Sequence, residues 1–353
     1  MDLARMQAVA DKTRAFYETR STGCALLKVK ALLDHPQPSL NLKKYNFPRD
    51  MERYLDDRAE IFLAGLAARS GLWDDTIPSL APWYGIAEHS AFLGGKVVFG
   101  EDTSWQEELM DDPSQLDRLS LDESNQSLRM ILDGITYLRE RYEGKFFPMV
   151  RGASGALEMA NTLRGSDFFY DFYEDPEALK ALLKYCADAL VWYYDKQLEA
   201  AGRVFGGTIT GFGEWLPGRA VGQLSEDTTT MISRAQYEEF GRPLTQEVCR
   251  HYDAAFFHMH ALSEHCLPAV TSLEGVWSME LSSDPNTDRA IEVYKRNREQ
   301  LAGPVPVLKL TRSEIESNFE LLKSQKTIVW YDASCLEDAQ DMVALFNREF
   351  PVR

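Results

Sequence analysis

From residue 146 onward, short apolar runs alternate with longer stretches of helical periodicity. The runs cover residues 146–150, 204–209, 254–259, 276–281, 305–310 and 327–331. Each is almost wholly apolar, as a strand buried on both faces must be. Between them, helical patterns are predicted at residues 156–163, 176–201, 234–252, 288–299 and 313–323, a short helix at 264–272, and a closing helix at 336–348. Strand then helix, repeated this regularly, predicts a parallel sheet with crossover helices. The expected fold class is α/β, a (β/α)8 TIM barrel with additional N-terminal helices; a doubly wound open sheet is the alternative. Six strands follow from this count, and extended segments near residues 79 and 97 are candidates for the other two.

Upstream the pattern changes. Residues 1–34 read as helical until Pro36 and Pro38 stop them, because proline cannot continue a helix. Residues 51–70 return to helical spacing, with Tyr54, Ile61, Leu63 and Leu66 on one face. The expected organisation is therefore a helical segment over residues 1–75, packed on a barrel over residues 76–353. Residues 94–99 predict a short hairpin or edge strand, and residues 122–143 a helix that Gly144 ends.

In a barrel, catalytic groups gather at the C-terminal ends of the strands. The polar residues following each run here are Arg151, Glu214, His258 with His260, Glu280 with Asp284, Lys309, and Cys335. In Phe256-Phe257-His258-Met259-His260 the two histidines stand two apart, so a strand projects both from one face. Two imidazoles so placed can chelate a metal, and zinc accepts nitrogen and sulfur together. With Cys335 beyond the last run, the expected metal ligands are His258, His260 and Cys335. The alternative reading makes the histidines hydrogen-bonded polar residues. Glu226 and Asp227 open a polar loop before Ser233, which is placed to cap the helix that follows.

Composition narrows the function. The formal net charge of −17 argues against binding nucleic acid or an anionic membrane surface. Five unpatterned cysteines suit a reducing compartment. With no apolar leader and no long apolar run, the expected location is the cytoplasm. P-loop, dinucleotide-binding, HExxH and nucleophile-elbow motifs are absent from the sequence.

Several stretches resemble the uroporphyrinogen decarboxylase superfamily. They are Arg151-Gly152 with Leu163-Arg164-Gly165, Trp215-Leu216-Pro217-Gly218, Ser225-Glu226-Asp227 leading to Met231-Ile232-Ser233 and Tyr237-Glu238-Glu239-Phe240, Pro243, His258-Met259-His260, and the last strand with Cys335. The resemblance implies a (β/α)8 barrel and one of two activities. One is cofactor-free decarboxylation of uroporphyrinogen. The other is zinc-dependent methyl transfer between a methylcorrinoid and a thiol. The arginine- and glycine-rich N-terminal signature of the decarboxylases is missing, and Asn161-Thr162-Leu163 stands where they carry a tyrosine. The methyltransferases place His-x-Cys at one strand end and a cysteine after the last strand. Here the middle ligand is His260. The resemblance thus implies a zinc methyltransferase acting on a methylcorrinoid, with a small-molecule substrate and a corrinoid protein as candidate partners. Asp284 and Glu280 are expected to orient ligands or take a proton, and Arg151, Glu214, Asp227 and Lys309 to contact substrate. Uroporphyrinogen decarboxylation, or a corrinoid-binding barrel without methyl transfer, are the alternatives. The N-terminal helices are candidates for capping the barrel or pairing two copies in a homodimer.

Overall fold

A computed structural model describes residues 2–299, 301 and 303–352. The strands in chain order are β1 (Ala25–Leu32), β2 (Ser79–Leu80), β3 (Val97–Phe99), β4 (Ser104–Gln106), β5 (Phe147–Pro148), β6 (Ala153–Ser154), β7 (Gly207–Thr210), β8 (Glu214–Pro217), β9 (Ala220–Ser225), β10 (Ala254–His260), β11 (Val276–Ser282), β12 (Val305–Lys309) and β13 (Thr327–Ala333). Seven of them form one sheet in the order β1-β13-β12-β11-β10-β9-β6, with every pairing parallel.

The rest of the ring is held by shorter connections. β2 pairs in parallel with β5. The Asp75 amide donates to the Leu27 carbonyl at 2.9 Å, joining β1 to the chain before β2. On the other side the Val150 amide donates to the Ile209 carbonyl of β7 at 3.2 Å. The fold is therefore α/β of barrel type, with a continuous ladder over seven strands and isolated bonds across the remaining arc.

Two strands of the main sheet differ from the sequence expectation. Residues 25–32 do not continue a helix; the N-terminal helix is Leu3–Glu18, and Ala25–Leu32 lies against the last strand. Part of the first 75 residues thus belongs to the sheet. Ala220–Ser225, to which the apolar pattern assigns no element, is a strand beside β10. The segment near residue 97 forms the β3–β4 antiparallel hairpin outside the main sheet. Helices at Met51–Ala68, Gln126–Arg141, Pro176–Ala201 and Leu336–Glu349 lie close to where the periodicity places them.

Alternation along the strands sets the position of the site. Leu26, Phe256, Val307 and Ile328 pack together in one fully buried cluster with Leu216. Two residues further along each strand, on the same face, stand Lys28, His258, Lys309 and Trp330. One face is therefore apolar toward the N-terminal ends of the strands and polar toward their C-terminal ends. Among the described residues, no helix is long and apolar enough to cross a membrane.

Candidate metal centre

Register brings the polar groups together. His258 of β10 stands level with Ser225 of β9 on one side and Glu280 of β11 on the other, and His260 stands level with Ser282. The His258 Nδ1 is hydrogen-bonded to Glu280, and both side chains are buried. The His260 Nδ1 meets Asp284 Oδ1 at 2.5 Å, while Asp284 Oδ2 accepts from the Leu262 amide at 3.0 Å.

A ring whose Nδ1 donates to a carboxylate presents a bare Nε2 lone pair. The two Nε2 atoms lie 3.2 Å apart. Asp227 Oδ1 lies 3.6 Å from the first and 3.4 Å from the second, and accepts from the Ser225 hydroxyl at 2.7 Å. Three electron-rich atoms thus face one point. A proton or a cation must sit among them, since otherwise their lone pairs repel. Without a metal the proton falls to His260. Its hydrogen bond to Asp227, joined by that to Asp284 against the cost of burial, pushes its pKa up to about 9. Burial alone would raise Asp227, but the facing His260 and His258 outweigh it and hold the carboxyl below its usual value.

The donor set fits a divalent metal. With bonds of about 2.0–2.1 Å, the edges of a tetrahedral zinc site measure about 3.3–3.4 Å, against the 3.2, 3.6 and 3.4 Å found here. Both imidazoles carry a carboxylate on the far nitrogen, as metal-bound histidines generally do. Asp227, His258 and His260 form the group of metal-capable atoms found among the described residues.

Cys335 does not join that group. It occupies the N-cap position of the closing helix, with its sulfur 3.9 Å from the Ser334 hydroxyl. β11 and β12 stand between its strand and β10. Asp227 Oδ1 completes the group of three atoms instead.

The other expected substrate residues have partners. The Arg151 guanidinium is paired with the buried Glu88. Lys309 is exposed and lies 2.6 Å from Asp332. Glu214 is wholly buried; its carboxylate meets Lys28 at 2.6 Å, Lys30 at 3.6 Å and the Trp330 indole nitrogen at 2.9 Å. Burial pushes that carboxyl up, but Lys28 and Lys30 more than reverse the effect. Ser233 caps its helix through a full capping box with Gln236, as its position predicts. The remaining histidines lie elsewhere: His265 bonds the Ile232 carbonyl and His251 bonds Asp195. Burial and the Arg151 charge hold His89 down at about 3.

Behind Asp227 lies a second acidic layer. Glu158 accepts from the Thr228 amide at 2.9 Å, and Glu226 accepts from the Thr245 hydroxyl. Burial, against Thr245 and with Asp227, raises Glu226 to about 7. Burial together with Asp227 and Glu226 raises Glu158 well above the ordinary carboxyl value. Gly155 makes room for this layer. A Cβ there would lie 2.4 Å from the Glu226 carboxyl carbon and 2.6 Å from both its oxygens. Gly155→Ala should therefore cost roughly 1–3 kcal/mol by overpacking a pinned carboxylate. Urea unfolding checks this, and an unchanged midpoint would contradict it.

The uroporphyrinogen decarboxylase family model matches residues 84–207. A methyltransferase from Methanosarcina mazei has a similar solved structure, with a TM-score of 0.63 at 12% sequence identity, covering 96% of this chain and 98% of that one. No curated protein sequence matches the chain. The structural likeness shows the fold; the chemistry has to be argued from the site.

The sequence does not place three contributors to this mouth. Asp227 was noticed, but nothing in the loop pattern places it opposite the histidines. Lys28 and Lys30 were hidden inside a segment read as helix. The alternation Leu26-Leu27-Lys28-Val29-Lys30 carried the signal.

Proposed function

We propose that this chain is a metal-dependent methyltransferase, holding zinc on Asp227, His258 and His260 and moving a methyl group from a methylcorrinoid to a small acceptor. The observation that carries the reading is the convergence of three ligand atoms, two of them backed by carboxylates. Bound there, zinc would supply Lewis-acid lowering of an acceptor thiol's pKa, so that a thiolate is present near neutral pH.

This chain's own residues do the positioning. Glu280 and Asp284 fix the tautomer and tilt of the two imidazoles, so their part is orientation rather than proton transfer to substrate. Asp227 contributes one negative charge, held in place by Ser225. With a methylcorrinoid as donor substrate, a sulfur–carbon bond to the acceptor would replace the donor's cobalt–carbon bond, whose electron pair would stay with the corrinoid, and the thiol proton would go to solvent. The engaged Arg151 and the acidic lining speak against a substrate carrying many carboxylates, such as uroporphyrinogen.

Elemental analysis tests the first half of the reading. The expected result is about one zinc per chain in protein purified without chelator. The second half is tested by the change in cobalamin absorbance when the loaded protein meets methylcobalamin and a thiol. Metal-free protein that takes up none on titration would overturn the reading.

A further inference from the structure

The barrel closes beside β1 through side chains. β1 stands at the end of the main sheet, and among the described residues β2 pairs with β5 alone. The outer edge of β1 is bonded by the segment that follows the helix Met51–Ala68. The Leu27 amide donates to Asp75 at 2.9 Å and the Val29 amide to Asp74 at 2.8 Å, while the Val29 carbonyl accepts from Arg69 at 2.9 Å. Over this seam the helix is only partly seated. Its Leu55 and Ala59 are fully buried, but Leu63 and Leu66, further along it, are half-buried.

A cavity of about 400 Å³ lies there, within the size range of small-molecule sites. Its floor is apolar, made by Met6, Leu63, Leu66, Leu72 and Pro78. Pro78 and Lys145 come just before β2 and β5, so the cavity opens toward the N-terminal ends of the strands. The histidine pair stands at the opposite ends.

The charged groups of the lining are Asp2, Arg5, Arg69, Asp74 and Lys145. Both carboxylates are engaged. Asp74 accepts from Arg69 at 2.7 Å, from the Thr76 hydroxyl at 2.5 Å and from the Val29 amide. Asp2 is exposed and caps the N-terminal helix through the Arg5 amide at 3.1 Å. Arg5 and Lys145 are left. Among the described residues, neither cation has a carboxylate oxygen within 4.0 Å. The Arg5 guanidinium meets neutral groups only: it donates to the Leu72 carbonyl and lies 4.3 Å from the centre of the Trp73 ring. Burial, joined by the Arg69 charge, outweighs Asp74 and Asp2 and lowers its pKa. Two cations without ion pairs border one apolar cavity, in a chain whose formal net charge is −17.

We propose that this cavity is a binding site for a small amphipathic carboxylate, its charge met by Arg5 and Lys145 and its hydrocarbon chain laid on the apolar floor. A guanidinium fork matches a carboxylate, and Lys145 adds a point charge on a flexible stem. The bound molecule would tie the N-terminal helix, the helix Met51–Ala68 and residues 69–78 together over the open edge of β1. Nothing in the proposal depends on the chemistry at the metal centre.

The test is calorimetric titration of the full chain with hexanoate and with 1-hexanol, which differ in charge and little in size. Hexanoate should bind about ten- to a hundredfold more tightly, the usual gain from charge-assisted hydrogen bonds. Lys145→Glu, a change at an exposed position, should remove most of that preference, and Lys145→Arg should keep it. Leu66→Trp, which fills the cavity, should weaken both ligands, with circular dichroism to confirm that the variant is folded. Hexanoate should bind equally to metal-loaded and to chelator-treated protein. Wild-type protein that binds neither compound, or both alike, would overturn the proposal. So would hexanoate binding that survives unchanged in Lys145→Glu, or that disappears when the metal is removed.

Discussion

Asp227→Ala should strip the centre of its metal, and Cys335→Ala should leave it loaded. The sequence alone favours the opposite pair of outcomes, since cysteine is the ordinary zinc ligand after a final barrel strand in the proteins this chain resembles. The geometry decides for aspartate. Its Oδ1 lies 3.4 and 3.6 Å from the two Nε2 atoms, whereas the cysteine stands at the N-cap position of a helix two strands beyond β11. Loss of an outer-shell carboxylate typically lowers metal affinity 10–100-fold, so Glu280→Gln should fall in that window. Loss of a direct ligand from a set of three should exceed it, at more than about 100-fold. Competition against a chromogenic chelator reads all three variants on one scale. Asp227→Ala binding zinc as tightly as the wild type would remove Asp227 from the ligand set, and metal lost from Cys335→Ala would restore the cysteine.

The difference between the two ligand sets has a chemical consequence. Two imidazoles and one carboxylate form a harder donor set than one containing a thiolate. They also leave the bound acceptor less electron-rich than two thiolates would.

What could be read from the sequence follows from which interactions are local. The alternation of buried strands with helices fixed the fold class, because a strand covered on both faces has to be apolar throughout. His258 and His260 were visible as a pair because two residues in one strand share a face whatever surrounds them. Glu280 and Asp284 were recognised as polar residues after the next strand, and their orienting part needed only the parallel register. The position of Asp227 was beyond reach. Its place opposite the histidines depends on β9, whose Gly222 and Gln223 break the apolar run and hide the strand. β1 was lost for a related reason. Two lysines inside an eight-residue strand look like one face of a surface helix unless the charged network that buries them is known. Cys335 lies outside the cluster for another reason: following an apolar strand sets a residue at the C-terminal ends of the strands, but not beside β10.

That buried network is where the second large effect is expected. Glu214→Gln should destabilise the fold by about 3–5 kcal/mol, the usual cost of leaving a buried charge without its partner. Lys28→Met should cost clearly less. The asymmetry follows from the contacts. Removing the Glu214 charge leaves two ammonium groups without a counterion and weakens the acceptor of the Trp330 indole. Removing Lys28 leaves Glu214 with Lys30 at 3.6 Å and the indole at 2.9 Å, still a compensated carboxylate. The double variant Lys28→Met, Glu214→Leu should recover part of the loss, since replacing both charges by apolar groups can be nearly neutral. The pH dependence has a definite sign. The folded carboxyl of Glu214 titrates below its ordinary value. Its contribution is therefore complete above the unfolded value of about 4.3, and is lost as the pH falls through the lower folded value. Urea unfolding at neutral and acid pH separates these outcomes. The gap between wild type and Glu214→Gln should be widest at neutral pH and narrow in acid. Equal costs for the two single variants would mean that Lys30 does not share the carboxylate.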